Sequence, residues 1–305
     1  MAGQSQPAVA ADGLIYGGAR DNDLWAVRQA AVPNPPERVA WRFHVPFDGD
    51  VTAPPIVAPN GTIHFASNAI GAGMVYAWKP ADAQHPGGTQ LWSRRLGSGV
   101  HNSSPTLSKD GSTVYYSTTD SRVHALDAAT GAERWTFRVF QGSNGFRQSN
   151  FTVVVGPNGR LYVGARNGLH ALQPNATNTA ASRVWHFQTD GRVESSPALA
   201  SDGTLYVGSS RGTSGRFYAI RPDGTLKWSL PMKGKFQNCE AVVGANGTVY
   251  VGVGRVLYSL APADGSILWS VDLRGERIVA PPVLGAPGVL YLGTLAGRLY
   301  AFGAP

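Results

Sequence analysis

Asn102, Asn150, Glu194 and Asn238 fall at one equivalent position of a repeating unit, which Gln4, Thr52 and Val279 occupy in its other copies. Amides and carboxylates gathered at the mouth of an apolar channel could hydrogen-bond a polar ligand. The plainer reading is that they hydrate the channel and cap strand ends. Cations are expected on the same side. Arg20, Arg166, Arg211 and, less regularly, Arg255 fall in one set of loops. Arg147, Arg192, Lys233, Lys235 and Arg277 fall in another. A guanidinium meets a carboxylate or phosphate through two parallel N–H donors. The expected ligand is therefore anionic: a small molecule, a glycan or a protein segment. A solvated surface on a basic protein is the competing explanation. Asp190, Glu194, Glu240 and Glu276 partly neutralise these cations.

Acid–base chemistry would have to come from His101 or Glu240. His101 precedes Asn102 and is expected at the channel mouth near Glu240, where it could serve as a general base. A hydrolase or lyase acting on an acidic substrate would use one of these two, with the arginines clamping the anion. An ordinary polar loop histidine has the same signature. His64, His124 and His170 stand where other units carry tyrosine, so they read as packing residues. No HxH or HExxH spacing is present, and no metal site is expected. Cys239 is the one cysteine and reads as a small buried thiol beside Glu240. There is no GxSxG elbow. The glycine strings have no helix after them and are not phosphate loops.

The elements that would position these groups come from a repeat. One phrase reads GLIYGG from Gly13, GTIHFAS from Gly61, STVYYST from Ser112, GRLYVGA from Gly159, GTLYVGS from Gly203, GTVYVGV from Gly247 and GVLYLGT from Gly288. A second follows each: LWAV, VYAW, VHAL, LHAL, FYAI, LYSL and LYAF. A third ends in Trp41, Trp92, Trp135, Trp185, Trp228 or Trp269 after a turn. A fourth, such as SSPALASDG, opens the unit with an apolar run and a hairpin turn signal. The unit is thus four antiparallel strands, A to D, with no amphipathic helix required. The chain is expected to be all-β: one seven-bladed β-propeller of four-stranded antiparallel blades over residues 1–305. The blades run roughly 4–47, 48–98, 99–143, 144–190, 191–234, 235–274 and 275–305. Seven A, B and C strands but six tryptophan-bearing D strands predict a last blade without its outer strand.

Segments such as VYYSTTDSRVHALDAATGAERW and LYVGSSRGTSGRFYAIRPDGTLKW resemble the pyrroloquinoline-quinone-type propeller repeats that carry a tryptophan-docking motif. The resemblance covers nearly the whole chain. It implies the fold; it does not by itself imply an activity. The quinone-dependent dehydrogenases of this superfamily hold their cofactor with a calcium shell of acids and amides, a stacking tryptophan and often an adjacent-cysteine disulfide. Here one cysteine is present, channel acids are few, and every tryptophan is assigned to strands C or D. No cofactor is expected. The resemblance extends to the outer-membrane assembly lipoprotein and to sensor ectodomains that use such repeats without a cofactor. The preferred reading is a binding or scaffold propeller.

Composition agrees. Only 15% of residues are charged, while 38 glycines and 21 prolines supply turns. The net charge is +7, yet the basic runs stop at Arg94-Arg95 and Lys233-Gly-Lys235, so nucleic acid is not an expected partner. No apolar run reaches the length of a transmembrane helix. The N-terminal residues lack the basic and apolar segments of a signal peptide. A periplasmic or extracellular location with the signal removed is expected ahead of a cytoplasmic one, and a monomer ahead of an oligomer.

Overall fold

The computed structural model describes residues 7–303 except 12, 20, 29–38, 46–48, 70–71, 81–84, 86, 101–102, 142–151, 237–239, 279 and 286–287. Every regular element among them is a β-strand. The first sheet comprises β1 (Ala8–Val9), β2 (Leu14–Gly18), β3 (Asp23–Arg28) and β4 (Val39–His44). The second comprises β5 (Ile56–Val57), β6 (Ile63–Ala69), β7 (Ala72–Lys79) and β8 (Thr89–Arg95). The third comprises β9 (Thr106–Leu107), β10 (Thr113–Thr118), β11 (Arg122–Asp127) and β12 (Glu133–Arg138). The fourth comprises β13 (Val154–Val155), β14 (Leu161–Ala165), β15 (Gly168–Pro174) and β16 (Ala181–Gln188). The fifth has β17 (Arg192–Val193), β18 (Ala198–Leu199), β19 (Leu205–Arg211), β20 (Ser214–Ile220) and β21 (Leu226–Lys233). The sixth has β22 (Val242–Val243), β23 (Val249–Val253), β24 (Val256–Leu260) and β25 (Ile267–Asp272). The last has three strands: β26 (Val283–Leu284), β27 (Val289–Gly293) and β28 (Leu299–Gly303). The fold is the expected seven-bladed β-propeller, with the expected three-stranded final blade.

Two compact units divide the chain, Met1–Gly159 with Pro174–Ser182 and Arg160–Gln173 with Arg183–Pro305. In the first unit, Leu24, Ala26 and Trp41 of blade one pack with Ile63, Phe65, Tyr76 and Trp78 of blade two. Val75, Ala77 and Trp92 of blade two pack in turn with Val114, Tyr116 and Leu126 of blade three. The Trp92 Nε1–H donates to the Ala128 carbonyl at 3.0 Å, and the Trp135 Nε1–H to Asn178 Oδ1 at 2.7 Å. In the second unit, Phe217, Ala219 and Trp228 pack with Val249, Val251, Val253 and Leu260. There the Trp185 Nε1–H donates to the Pro222 carbonyl at 3.0 Å and the Trp228 Nε1–H to the Pro262 carbonyl at 3.1 Å.

The strand pattern explains where each indole lies. Trp41, Trp92, Trp135, Trp228 and Trp269 stand directly opposite Ala26, Ala77, Ala125, Ala219 and Ser259. A larger side chain there would displace the ring. The register slips by one residue beside each pair, a β-bulge that bends the outer strand and adds twist. On the other side of the small residue stands an aromatic of strand B. Tyr16, His64, Tyr115, Tyr162, Tyr206 and Tyr250 lie 5.7–5.9 Å from Trp41, Trp92, Trp135, Trp185, Trp228 and Trp269, centroid to centroid.

Gly265 closes one such contact from the neighbouring blade. Its φ is 77°, and a Cβ there would meet the Trp228 ring at 2.6 Å. Gly288 has a φ of 83° and open space around a would-be Cβ. Both alanine substitutions should therefore carry the backbone strain of about 1 kcal/mol. Only Gly265→Ala must also displace the indole, at a further ~1–3 kcal/mol. Urea denaturation of the two variants measures that difference; equal stabilities would contradict the packing.

Candidate functional site

Blade five differs from its neighbours by an additional strand, and that strand builds a site. β17 pairs Arg192 with Ser210 and Val193 with Ser209 at the end of β19. Val193 is buried, which turns Arg192 and Glu194 on either side of it toward the surface. A related device sets Lys235. Phe236 beside it is fully buried. Its N–H donates to Ser210 Oγ at 2.8 Å, and its ring rests where a Cβ of Gly208 would overlap it. With its neighbour pinned in the core, exposed Lys235 emerges beside Arg211 at the end of β19.

These residues line one cavity of about 560 Å³ within the second unit, together with Arg166 and Asn167 from the β14–β15 turn. Four cations, Arg166, Arg192, Arg211 and Lys235, thus converge on one space with two carboxylates, Asp190 and Glu194. Asp190 is already occupied. Its Oδ1 accepts from the Tyr218 hydroxyl at 2.6 Å and the Ser209 hydroxyl at 2.7 Å, and its Oδ2 from Arg216 Nε at 3.0 Å. Burial alone would raise the Asp190 carboxyl. The hydrogen bonds from Tyr218, Ser209 and Arg216 outweigh it and hold the group below the usual carboxylate range. Its charge is spent on Arg216, which does not line the cavity. Among the described residues, Arg211 and Lys235 have no ion-pair partner.

Asn167 joins the site through two histidines. His170 is fully buried and stacks on His186 with centroids 4.3 Å apart and planes at 10°. His170 Nε2 lies 2.9 Å from Asn167 Oδ1, and His186 Nε2 lies 3.1 Å from the Asn167 carbonyl. Burial first, then the neighbouring His186 and Arg183, lower His170 to about 3, so its ring is neutral and packs as the sequence implied. The pair thereby holds Asn167 in place. His64 is likewise buried and lowered to about 4 by burial, packed against Trp92.

The sequence-derived candidates divide in two. Glu194, Arg166 and Arg211 come together at the cavity, joined by Arg192 and Lys235. Glu240 is placed elsewhere. It does not line the cavity. Its carboxylate accepts hydrogen bonds from the hydroxyl and N–H of Ser196, the equivalent residue of the preceding blade. Burial pushes the carboxyl up and Ser196 pulls it part of the way back. His101, Asn102, Asn150, Asn238, Arg20 and Arg147 lie outside the described residues, as does Cys239. Sequence reasoning did not single out Asn167 or Ser210, whose roles depend on a turn and an extra strand.

The donor set bears on the metal and quinone chemistry of related propellers. Among the described residues no three His, Cys, Asp or Glu side chains gather to hold an ion. The cavity is dominated by cations, which repel a divalent metal. The described residues that line this cavity do not fit a calcium-bound quinone.

This is a propeller with a cationic cavity on one blade-to-blade loop cluster. Residues 19–180, 75–241 and 175–304 match the family described as outer membrane protein assembly factor BamB, and the chain belongs to that family. Among solved structures it is similar to BamB from Moraxella catarrhalis, with a TM-score of 0.71 and 19% identity, covering 99% of this chain and 83% of that one. It is also similar to the quinohemoprotein alcohol dehydrogenase from Comamonas testosteroni, with a TM-score of 0.67 and 16% identity, covering 92% and 61%. Identities this low speak to the fold. Two curated proteins share a stretch of sequence. The serine/threonine-protein kinase AfsK of Streptomyces griseus is 31% identical over 147 residues, 46% of this chain and 17% of the kinase. The serine/threonine-protein kinase/endoribonuclease ire-1 of Caenorhabditis elegans is 32% identical over 123 residues, 39% of this chain and 11% of that protein. The chain thus matches less than a fifth of either one's length.

The Glu240 carboxyl gives a pH signature. With its folded pKa above the unfolded value, the native state holds the extra proton, so stability falls as pH rises through that interval. Glu240→Gln should raise the melting temperature at pH 8. The gain should vanish below pH 4, where both states of the wild type are protonated. Calorimetry across this range checks it; a pH-independent difference would contradict the burial of the acid.

Proposed function

We propose that this chain is a binding or scaffold propeller, acting without a cofactor, that recognises a carboxylate-bearing segment of a partner protein at the cavity of blades four and five. The observation that carries the reading is the convergence of Arg166, Arg192, Arg211 and Lys235 on a space whose one uncommitted acid is Glu194. Buried Val193 and Phe236 fix the backbone beside two of these cations, so less entropy is lost when they engage a ligand. Loops held by a rigid sheet are the usual place for such recognition. The family description, an outer-membrane assembly factor, supports a protein partner and a location on the periplasmic or extracellular side. Among the described residues no helix is long and apolar enough to cross a membrane. A hydrolase or lyase on an acidic substrate would need a base; Glu240 bonds to Ser196 and does not line the cavity, and His101 lies outside the described residues.

Titration calorimetry with an octapeptide of alternating glutamate and glycine tests this, with the glutamine counterpart as control. The acidic peptide should bind and the amide peptide should not. Arg211→Ala and Lys235→Ala should each weaken binding about tenfold, the size of one lost charge-assisted hydrogen bond. Raising the salt should weaken it further. Equal binding of the two peptides, or none to either, would overturn the reading.

A further inference from the structure

Three junctions between successive blades of the second unit are closed in the same way. Val193, Phe236 and Ile278 are buried. Each covers a glycine of the preceding blade's strand B, where a Cβ would overlap it: Gly164, Gly208 and Gly252 in that order. The residue ahead of each plug is a cation: Arg192, Lys235 and Arg277. In the first unit Val51 covers Gly18 and Val100 covers Gly73 by the same overlap, but Asp50 and Gly99 precede them. Closing a junction therefore does not require the charge. A second cation accompanies each plug, from the B–C turn of the blade that the plug covers. Arg166 goes with Arg192, Arg211 with Lys235, and Arg255 with Arg277.

Four of these six cations line the cavity described above. The third pair continues the series. Gly234, ahead of Lys235, packs backbone to backbone on Gly254, ahead of Arg255; a Cβ on Gly234 would lie 3.4 Å from the Gly254 Cα. The Gly254 carbonyl accepts from the Ile278 N–H at 2.8 Å, and the Arg255 carbonyl from the Leu273 N–H at 2.9 Å. The turn carrying Arg255 is thus held against the loop of Lys235 on one side and the loop of Arg277 on the other. Glu276, next to Arg277, is engaged by Thr294 and Arg298. Arg255 meets Asp272 at 3.2 Å with both side chains exposed, and such a pair is weak enough to be exchanged for a ligand.

We infer that the partner's segment is an extended acidic stretch of polypeptide laid across these three junctions, meeting one pair of cations per blade. This rests on the reading of the cavity as a carboxylate site and extends it to Arg255 and Arg277. A single carboxylate would be served by one pair. Three pairs on consecutive blades suit a chain with repeated carboxylates, because each contact after the first is made within one complex. Single-stranded nucleic acid also seeks cations, but it stacks its bases on aromatic rings, and no aromatic residue is among the described residues lining the cavity.

Calorimetry on the full chain with two peptides of alternating glutamate and glycine, eight and twenty residues long, tests this. The longer peptide should bind about tenfold tighter. The double variant Arg255→Ala with Arg277→Ala should weaken the longer peptide about fivefold or more and leave the octapeptide within about twofold. Both positions are exposed, and an exposed ion pair adds little stability, so this variant is expected to fold. Lys109→Ala with Arg221→Ala removes the same charge from an A–B and a C–D turn and should change neither affinity. A longer ligand also gains from having more registers on one site, but that gain would survive loss of Arg255 and Arg277. If the octapeptide binds and the first double variant leaves the longer peptide's affinity unchanged, the inference falls while the cavity reading stands. Equal losses in the two double variants would overturn it as well. Failure of both peptides to bind overturns both readings. Tighter binding of an oligothymidylate of the same charge would overturn the assignment to a polypeptide.

Discussion

The structure rests on one repeated lock, an indole held on all sides. Trp228 shows the parts: Tyr206 against one edge, Ala219 opposite, Gly265 under the ring, and the Pro262 carbonyl accepting its N–H. A single aromatic of this size buries on the order of 200 Å². The hydrogen bond keeps the polar nitrogen from being left unpaired inside that contact. Because the partners come from two successive blades, the lock fixes the spacing of sheets as well as their stability. Sheets that bury both faces in this way need no helix to cover them.

With the sheets fixed, the loops become the variable part. At the loop cluster around Arg192 an extra strand and a buried valine replace a plain connection. The same principle places Lys235 beside a buried phenylalanine. A cation next to a core residue cannot fold back into the sheet, so it projects. The site is thus a by-product of apolar packing, with chemistry supplied by whichever residue stands beside the plug. Asp190 shows the complement: an acid at the cavity that stabilises the scaffold through Arg216, Tyr218 and Ser209 and leaves the field positive.

The seven-fold phrase made the sheets readable before any coordinates, down to the three-stranded last blade. Alternation and glycine turns are local, so they survive in the sequence. His170 was read as a packing residue for the same reason, since it occupies a tyrosine slot. Arg166, Arg211 and Glu194, which the sequence places in equivalent loops, line one cavity, because strand register propagates the phase of each loop. Asn167 and Ser210 were not singled out. Their roles depend on a histidine stack and an added strand, and neither leaves a periodic trace. Glu240 bonds to Ser196 and is not among the residues that line the cavity, and that bond leaves no trace in the repeat.

The sequence by itself determined the strand order and the small residues opposite each tryptophan. These follow from side-chain size and alternation at fixed spacing, which a linear pattern can record. Only the tertiary structure decided which charges remain available. Asp190 and Glu194 look alike on paper, yet one is bound to Arg216 and the other faces the cavity. That difference is set by distances between strands far apart in the chain, and Coulomb interactions depend on distance in space.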